Sequence, residues 1–474
     1  MLFLLIIYLA HETYQYLILE GEGVMEGNLE KKKYLKWYQK IAYGSGDLAA
    51  NCAYGLIGSF LMLYLTNIVG MNSGIVGTLM LVARLFDGVS DVLFGILVDR
   101  THTKMGKARP WMFGAQFGVS ILLIMLFSIP ALSDGAQYAY FFVVYVALNG
   151  IFYTANNIAY ASLTSLITRN PNERVQIGSI RFMFSLGTNL FIAYKTLGFV
   201  ESFGGGATGW RMVAIIYALV AVAVNTISCL MVKELPEEKA DNKASKEDKI
   251  SMLDSFKYLL SNKYYLMILG VYVITYCSMS IMNTAGVYFC TYVLGDANTY
   301  GNFSMAAMLP SVVGLFFVPA IVQKFGIYKT NLVGIGLSVV TAGVVVFAGY
   351  NKLIPLMLIF IVLKGLFSSP LLGDLNAIIS DAATYTFKKD GVHIDGTMFS
   401  CSSMGMKVGS GIGTAVAGWL LAWGQYDGAA EIQPDSALSV ITLMYVLVPF
   451  VFLIAEFFVV MFLNVEKANA EFDK

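Results

Sequence analysis

Charge is what this chain is shortest of. Only 13% of its 474 residues are Asp, Glu, Lys or Arg, against about a quarter in soluble domains. Histidine is scarcer still: His11, His102 and His393 are scattered and cannot form a ligand cluster. The five cysteines (Cys52, Cys229, Cys277, Cys290, Cys401) show no metal-type spacing and read as small buried apolar residues. No nucleophile–base set, phosphate loop or metal-ligand motif is present. An enzyme is therefore not expected, nor a nucleic-acid partner.

Apolar residues take the place of the missing charge. They make up 57% of the chain, and the mean hydropathy is +0.68. A helix needs about 20 apolar residues to cross a bilayer. Twelve stretches qualify: 43–69, 74–98, 110–131, 138–167, 175–200, 209–232, 264–294, 299–323, 330–350, 353–383, 395–423 and 437–463. These are numbered spans 1 to 12. They predict an all-α, multi-pass membrane protein.

The basic residues orient it. Five fall within spans (Arg84, Arg181, Lys195, Lys364, Lys407), and Arg211 and Lys352 sit at the loops after spans 5 and 9. All the others lie in the two tails and the even-numbered loops. This bias places those segments, and both termini, on the cytoplasmic side of a cell inner membrane. The charged run 233–249 separates six spans from six. The apolar positions Met252, Leu253, Phe256, Leu259 and Leu260 then predict a short surface helix. The expected organisation is an N-terminal tail (1–40), a six-helix bundle (41–232), a central loop (233–263), a second six-helix bundle (264–463) and a tail (464–474). The stretch 2–9 is too short to span. The basic cluster begins only after Met25, so translation is expected to start there, with an interfacial segment as the alternative.

Span 2 breaks the apolar rule. It carries Arg84, Asp87 and Asp91 at i, i+3 and i+7, on one helical face. A charge at the bilayer centre costs roughly 2.5–3.5 kcal/mol on the mildest scale. Three together must pair, face water or bind an ion. Lys407 in span 11 is equally isolated and needs a carboxylate partner, and Gly405, Gly409, Gly411 and Gly413 around it allow another helix to approach. By themselves these charges define an ion-coupled or ion-gated transporter.

Span 1 reads YGSGDLAANCAYG. Span 2 and its loop read ARLFDGVSDVLFGILVDRTHTKMGKARPW, span 4 YTANNIAYASL, span 5 SIRFMFSLG and span 11 DGTMFSCSSMGMKVGSG. From Tyr43 to the end of span 12 the chain resembles the glycoside–pentoside–hexuronide:cation symporters, the melibiose and glucuronide permease group of the major facilitator superfamily. The resemblance implies two pseudo-symmetric six-helix bundles that take up a sugar with Na⁺, Li⁺ or H⁺ by alternating access, working as a monomer without a cofactor. It implies a cation site at Asp87 and Asp91, helped by Ser90 and Thr154, with sodium one candidate ion. Ser90 replaces an Asn of the family. Asp47, Tyr153, Asn157, Arg181, Ser403 and Lys407 are implied at the sugar site, although Asp47 and Arg181 could instead pair with each other. Arg84 and Lys407 would neutralise the aspartates when the cation is absent. Asp99, Arg100, Lys107 and Arg109 would latch the cytoplasmic side, and Asp381 would gate it. Melibiose-type members have Asp at Asn157 and Trp at Ala161, so the substrate is expected to differ. Asp47, Asp87 and Asp91 balance Arg84, Arg181 and Lys407. A bound cation then leaves one positive charge, which suits a hexuronide, with a neutral glycoside or xyloside as the alternative. Other readings of the same chain are an amphipathic lipid carrier and a non-transporting receptor.

Overall fold

The computed structural model describes residues 33–236, 252–392, 395–430 and 432–472. The leader 1–24 and most of the central loop lie outside these residues.

The described residues form twelve long helices. Spans 1 to 6 are Trp37–Asn67, Ser73–Arg100, Arg109–Leu126, Asp134–Ile167, Pro171–Ser202 and Gly206–Met231. Spans 7 to 12 are Lys263–Val293, Tyr300–Phe325, Ile327–Tyr350, Ile354–Asp390, Asp395–Trp423 and 435–462. Nine of them qualify as membrane spans on length and composition alone; spans 2, 5 and 11 are those bearing Arg84, Asp87, Asp91, Arg181 and Lys407.

Local sequence explains where they begin. Asn72, Asn170 and Asn262 each accept two backbone N–H groups at the starts of spans 2, 5 and 7, satisfying donors that a helix end leaves orphaned. Pro171 occupies the first position of span 5, where its missing N–H costs nothing. With Asn170, it starts that helix a turn earlier than hydropathy indicates. The short helix Met252–Ser261 is also present, with Leu259 buried against the second half.

Packing repeats between the halves. Spans 1 and 5, 1 and 6, 2 and 4, and 3 and 6 pair in the first half; spans 7 and 11, 7 and 12, 8 and 10, and 9 and 12 pair in the second. The halves meet through spans 2 and 11, 1 and 7, and 5 and 8. Small residues allow this approach: a Cβ on Gly77 would lie 3.0 Å from the carbonyl oxygen of Ala415. Gly409 instead serves packing within the second half, where a Cβ would lie 2.6 Å from the carbonyl oxygen of Val273.

The turns that lead into spans 3 and 9 correspond. Gly106 (φ 114°) and Gly326 (φ 83°) occupy the left-handed region just before spans 3 and 9. In each half a glutamate beyond the sixth helix caps the start of the third. Glu234 accepts the N–H groups of Lys107 (2.7 Å), Ala108 (2.9 Å) and Arg109 (3.0 Å). Glu466 accepts those of Ile327 (2.8 Å) and Tyr328 (3.2 Å). A carboxylate at a helix N-terminus gains both hydrogen bonds and the macrodipole.

The two ends of the cleft differ. Opposite the termini, Thr66 meets the hydroxyl of Tyr288 at 2.9 Å, Asn67 donates to Tyr292 at 2.5 Å, Tyr426 donates to Asn67 at 2.7 Å, and the hydroxyls of Tyr426 and Tyr292 meet at 2.9 Å. Among the described residues, no hydrogen bond or ion pair joins the halves on the terminal side of the Asp91–Lys407 pair.

Candidate functional site

Span 2 holds its charges against spans 4 and 11. Asp87 is only 2% exposed. Its Oδ2 receives Arg84 Nη1 at 3.2 Å, while its Oδ1 is buried without a hydrogen-bond partner. Gly150 of span 4 faces that oxygen: a Cβ there would lie 3.4 Å from it. Gly150 sits in a π-helical turn, Ala147–Tyr153, a distortion frequent at functional sites. One turn along span 2, Asp91 forms an ion pair with Lys407 of span 11. This pair joins the two halves. Its side chains are 32% and 25% exposed, whereas Asp87 is buried.

An unpaired buried carboxylate oxygen is costly. Together with Asp91 it supplies hard, anionic oxygen, which suits Na⁺, Li⁺ or a proton. Ser90 is adjacent, but its hydroxyl donates to the carbonyl of Asp87 at 3.0 Å. Thr154 is buried and donates to the Asn149 carbonyl at 2.9 Å; its hydroxyl is within hydrogen-bond reach of neither carboxylate.

A second cluster joins spans 1, 4 and 5. Arg181 Nε donates to Asp47 Oδ2 at 2.6 Å, Arg181 Nη1 donates to Thr164 at 3.3 Å, and the guanidinium lies 4.1 Å from the centroid of the Tyr160 ring. Asp47 and Arg181 thus do pair with each other, and both remain partly exposed, at 17% and 22% of their side chains. Asn157 is exposed, and Ser403 is half-buried one turn from Lys407. Tyr153 stacks on Tyr54 of span 1, with centroids 5.5 Å apart and planes at 21°. Arg84 lies 5.4 Å from the centroid of the same Tyr54 ring.

The other positions singled out lie outside these two clusters. Asp99 and Arg100 are exposed at the end of span 2 and join no ion pair among the described residues. Their neighbours in the motif are held by Glu234, and Arg109 Nε also donates to the Cys229 carbonyl at 2.9 Å. These contacts clasp the start of span 3 to the end of span 6, between spans of the first half. Asp381 lies in the second half beside Tyr328, Asn331 and Glu466, away from the gap between the halves. Lys195 is exposed beside the Tyr194 ring. Lys364 instead points inward, with its ammonium 3.8 Å from the Met282 sulfur. Glu456, also buried, accepts the Thr275 hydroxyl at 2.5 Å.

Sequence reasoning missed Tyr54, Glu234 and the amide bridge from Asn51 to Ser185 (3.0 Å) and Asn189 (2.8 Å). Tyr54 was within reach of it: seven residues beyond Asp47, it shares that residue's helical face.

Two six-helix halves, joined by an ion pair between spans 2 and 11, define a secondary transporter of the major facilitator fold rather than an enzyme. The chain belongs to the MFS/sugar transport protein family, which matches residues 42–467. It is 31% identical to the isoprimeverose transporter of Lactiplantibacillus pentosus over 89% of this chain and 87% of that one. It is 24% identical to the glucuronide carrier protein homolog of Escherichia coli (strain K12), over 90% and 92% of the two chains. Its fold is similar to that of a bacterial homologue of the human lysosomal transporter Spinster, solved inward-facing and unoccupied (TM-score 0.69, 13% identity, 93% of this chain and 99% of that chain).

Proposed function

We propose that this transporter takes up a neutral glycoside together with a small cation by alternating access, as a monomer in the cell inner membrane with both termini cytoplasmic. The observation that carries the reading is the buried, unpartnered Oδ1 of Asp87 beside the cross-half pair Asp91–Lys407. A cation arriving there fills an unsatisfied acceptor and competes with Lys407 for Asp91. Arg84 and Lys407 hold the two aspartates until it comes. Sugar and cation then raise each other's affinity by the same factor.

A neutral sugar is favoured because each cleft cation is already paired: Arg84 with Asp87, Arg181 with Asp47, Lys407 with Asp91. The pair Asp47–Arg181 offers adjacent acceptors and donors to sugar hydroxyls, and Asn157 adds an uncharged amide. The relative that transports isoprimeverose supports this branch. A hexuronide is the second reading, since a cation that displaces Lys407 frees one ammonium in the cleft.

The test is substrate-induced charge movement in liposomes with and without Na⁺, using isoprimeverose, a neutral galactoside and a glucuronide. A sodium-dependent response to the neutral glycosides that vanishes in Asp91→Asn supports the proposal. A response to the glucuronide alone selects the second reading. A proton-linked response retains the symporter and removes sodium. Silence toward every sugar by folded protein refutes sugar transport.

A further inference from the structure

A second set of carboxylates lies within the second half. Asp374 and Asp381 stand two turns apart on span 10, and Glu466 follows span 12. Among the described residues no lysine or arginine forms an ion pair with any of the three. Asn331 of span 9 is bonded to Asp374 and is only 2% exposed. Its Nδ2 donates to Asp374 Oδ2 and to the Ile327 carbonyl, both at 3.0 Å. Both partners are acceptors, so only the nitrogen of the amide can face them. The oxygen, Oδ1, is left buried without a hydrogen-bond partner, a condition rare in folded proteins and one that calls for an explanation.

Asn331 also lines a cavity of about 10 Å³ together with Tyr328, Asp381 and Glu466, and apolar side chains such as Ile378 and Val460 close the rest. That is room for one water-sized sphere. The polar side chains of the lining offer only lone pairs. Both Nδ2 protons of Asn331 are taken, and the Tyr328 hydroxyl donates to the Met461 carbonyl at 2.8 Å. Asp381 and Glu466 are carboxylates. Glu466 caps span 9 through two N–H groups, where Glu234 accepts three, and a carboxylate has lone pairs to spare beyond two such bonds.

A water in this cavity could donate to only two of these acceptors and would leave two negative charges uncompensated. A small cation meets all of them, since carboxylate and amide oxygens are its preferred ligands. The ligand set favours a single charge. Among the described residues no three acidic, histidine or cysteine side chains come together as a metal group, and the cavity has no room for an ion that keeps its water shell.

We propose that Asn331 Oδ1, Asp381 and Glu466 hold a monovalent cation, Na⁺ or K⁺, at a second site separate from Asp87 and Asp91. All three ligands belong to one half, so the ion stays with that half when the halves move and is not carried with substrate. It fastens the start of span 9 and the body of span 10 to the segment beyond span 12. Asn469 of that segment adds to the hold, donating to the Asp381 carbonyl at 2.9 Å. In the first half the equivalent join, Glu234 to the start of span 3, uses three hydrogen bonds instead.

The test counts radioactive Na⁺ and K⁺ bound to the purified full-length protein at pH 8, with choline holding the ionic strength constant. Asp381→Asn is expected to lower the count by one ion per chain, both in the wild-type background and in Asp87→Asn. Glu466→Gln carries the same expectation and stands in should Asp381→Asn fail to fold. If the folded variant binds as many of each ion as its parent, the cavity holds water and the proposal is overturned. It is equally overturned if folded Asp87→Asn protein, with Asp381 and Glu466 intact, binds neither Na⁺ nor K⁺.

Discussion

Removing Lys407 should strengthen cation binding. In the structure its ammonium occupies the Asp91 carboxylate, so an incoming cation must displace it. Lys407→Ala removes that competitor and leaves Asp87, Asp91 and Arg84, one net negative charge, around the buried Oδ1 of Asp87. Truncating one partner of a fully buried pair costs about 3–5 kcal/mol; exposed pairs are worth about 0–1 kcal/mol. With side chains 25% and 32% exposed, the Asp91–Lys407 pair falls between, at about 1–2 kcal/mol. That corresponds to roughly 5- to 30-fold tighter Na⁺ binding at 1.4 kcal/mol per decade. The measurement is a Na⁺ titration of purified protein by intrinsic fluorescence at pH 8, where protons compete little. Sugar affinity should at the same time lose its dependence on Na⁺, because the displaced group that links the halves is gone. Unchanged or weaker Na⁺ binding in folded Lys407→Ala would refute the displacement argument.

Three other outcomes are expected. Arg181→Lys should fail to restore sugar binding lost in Arg181→Gln, because the ammonium cannot both pair with Asp47 and stack over the Tyr160 ring 4.1 Å away; binding within three-fold of wild type in Arg181→Lys would contradict this. Asn67→Ala removes two hydrogen bonds that close the cleft opposite the termini. At about 0.5–1.5 kcal/mol each, their loss should shift the equilibrium several-fold toward the opposite opening, and spin-label distances across that end should lengthen; an unchanged distance distribution would count against a gate there. Glu234→Ala leaves three helix-start N–H groups without their acceptor and should lower stability by about 1–2 kcal/mol, read as a fall in thermal midpoint that Glu234→Gln only partly reproduces. A midpoint equal to wild type would show the clasp to be dispensable.

The sequence alone was sufficient for the spans, because lipid demands runs of apolar residues that composition reveals directly. It was also sufficient for the exceptions: Arg84, Asp87, Asp91 and Lys407 stand out because a charge in lipid needs a partner. Pairing was the decision of the tertiary structure. Either aspartate could have taken Lys407, and only the placement of span 11 against span 2 gives it Asp91 and leaves Asp87 to Arg84. The same holds for Asp47, whose bond to Arg181 depends on how span 5 crosses span 1. The expected latch shows the limit most plainly. Its motif was legible, but its anchor, Glu234, lies about 130 residues downstream, and a capping carboxylate leaves no periodic signature. Sequence fixes what each helix carries because solvation is a local cost, whereas the function of those groups depends on distances between helices that only packing sets.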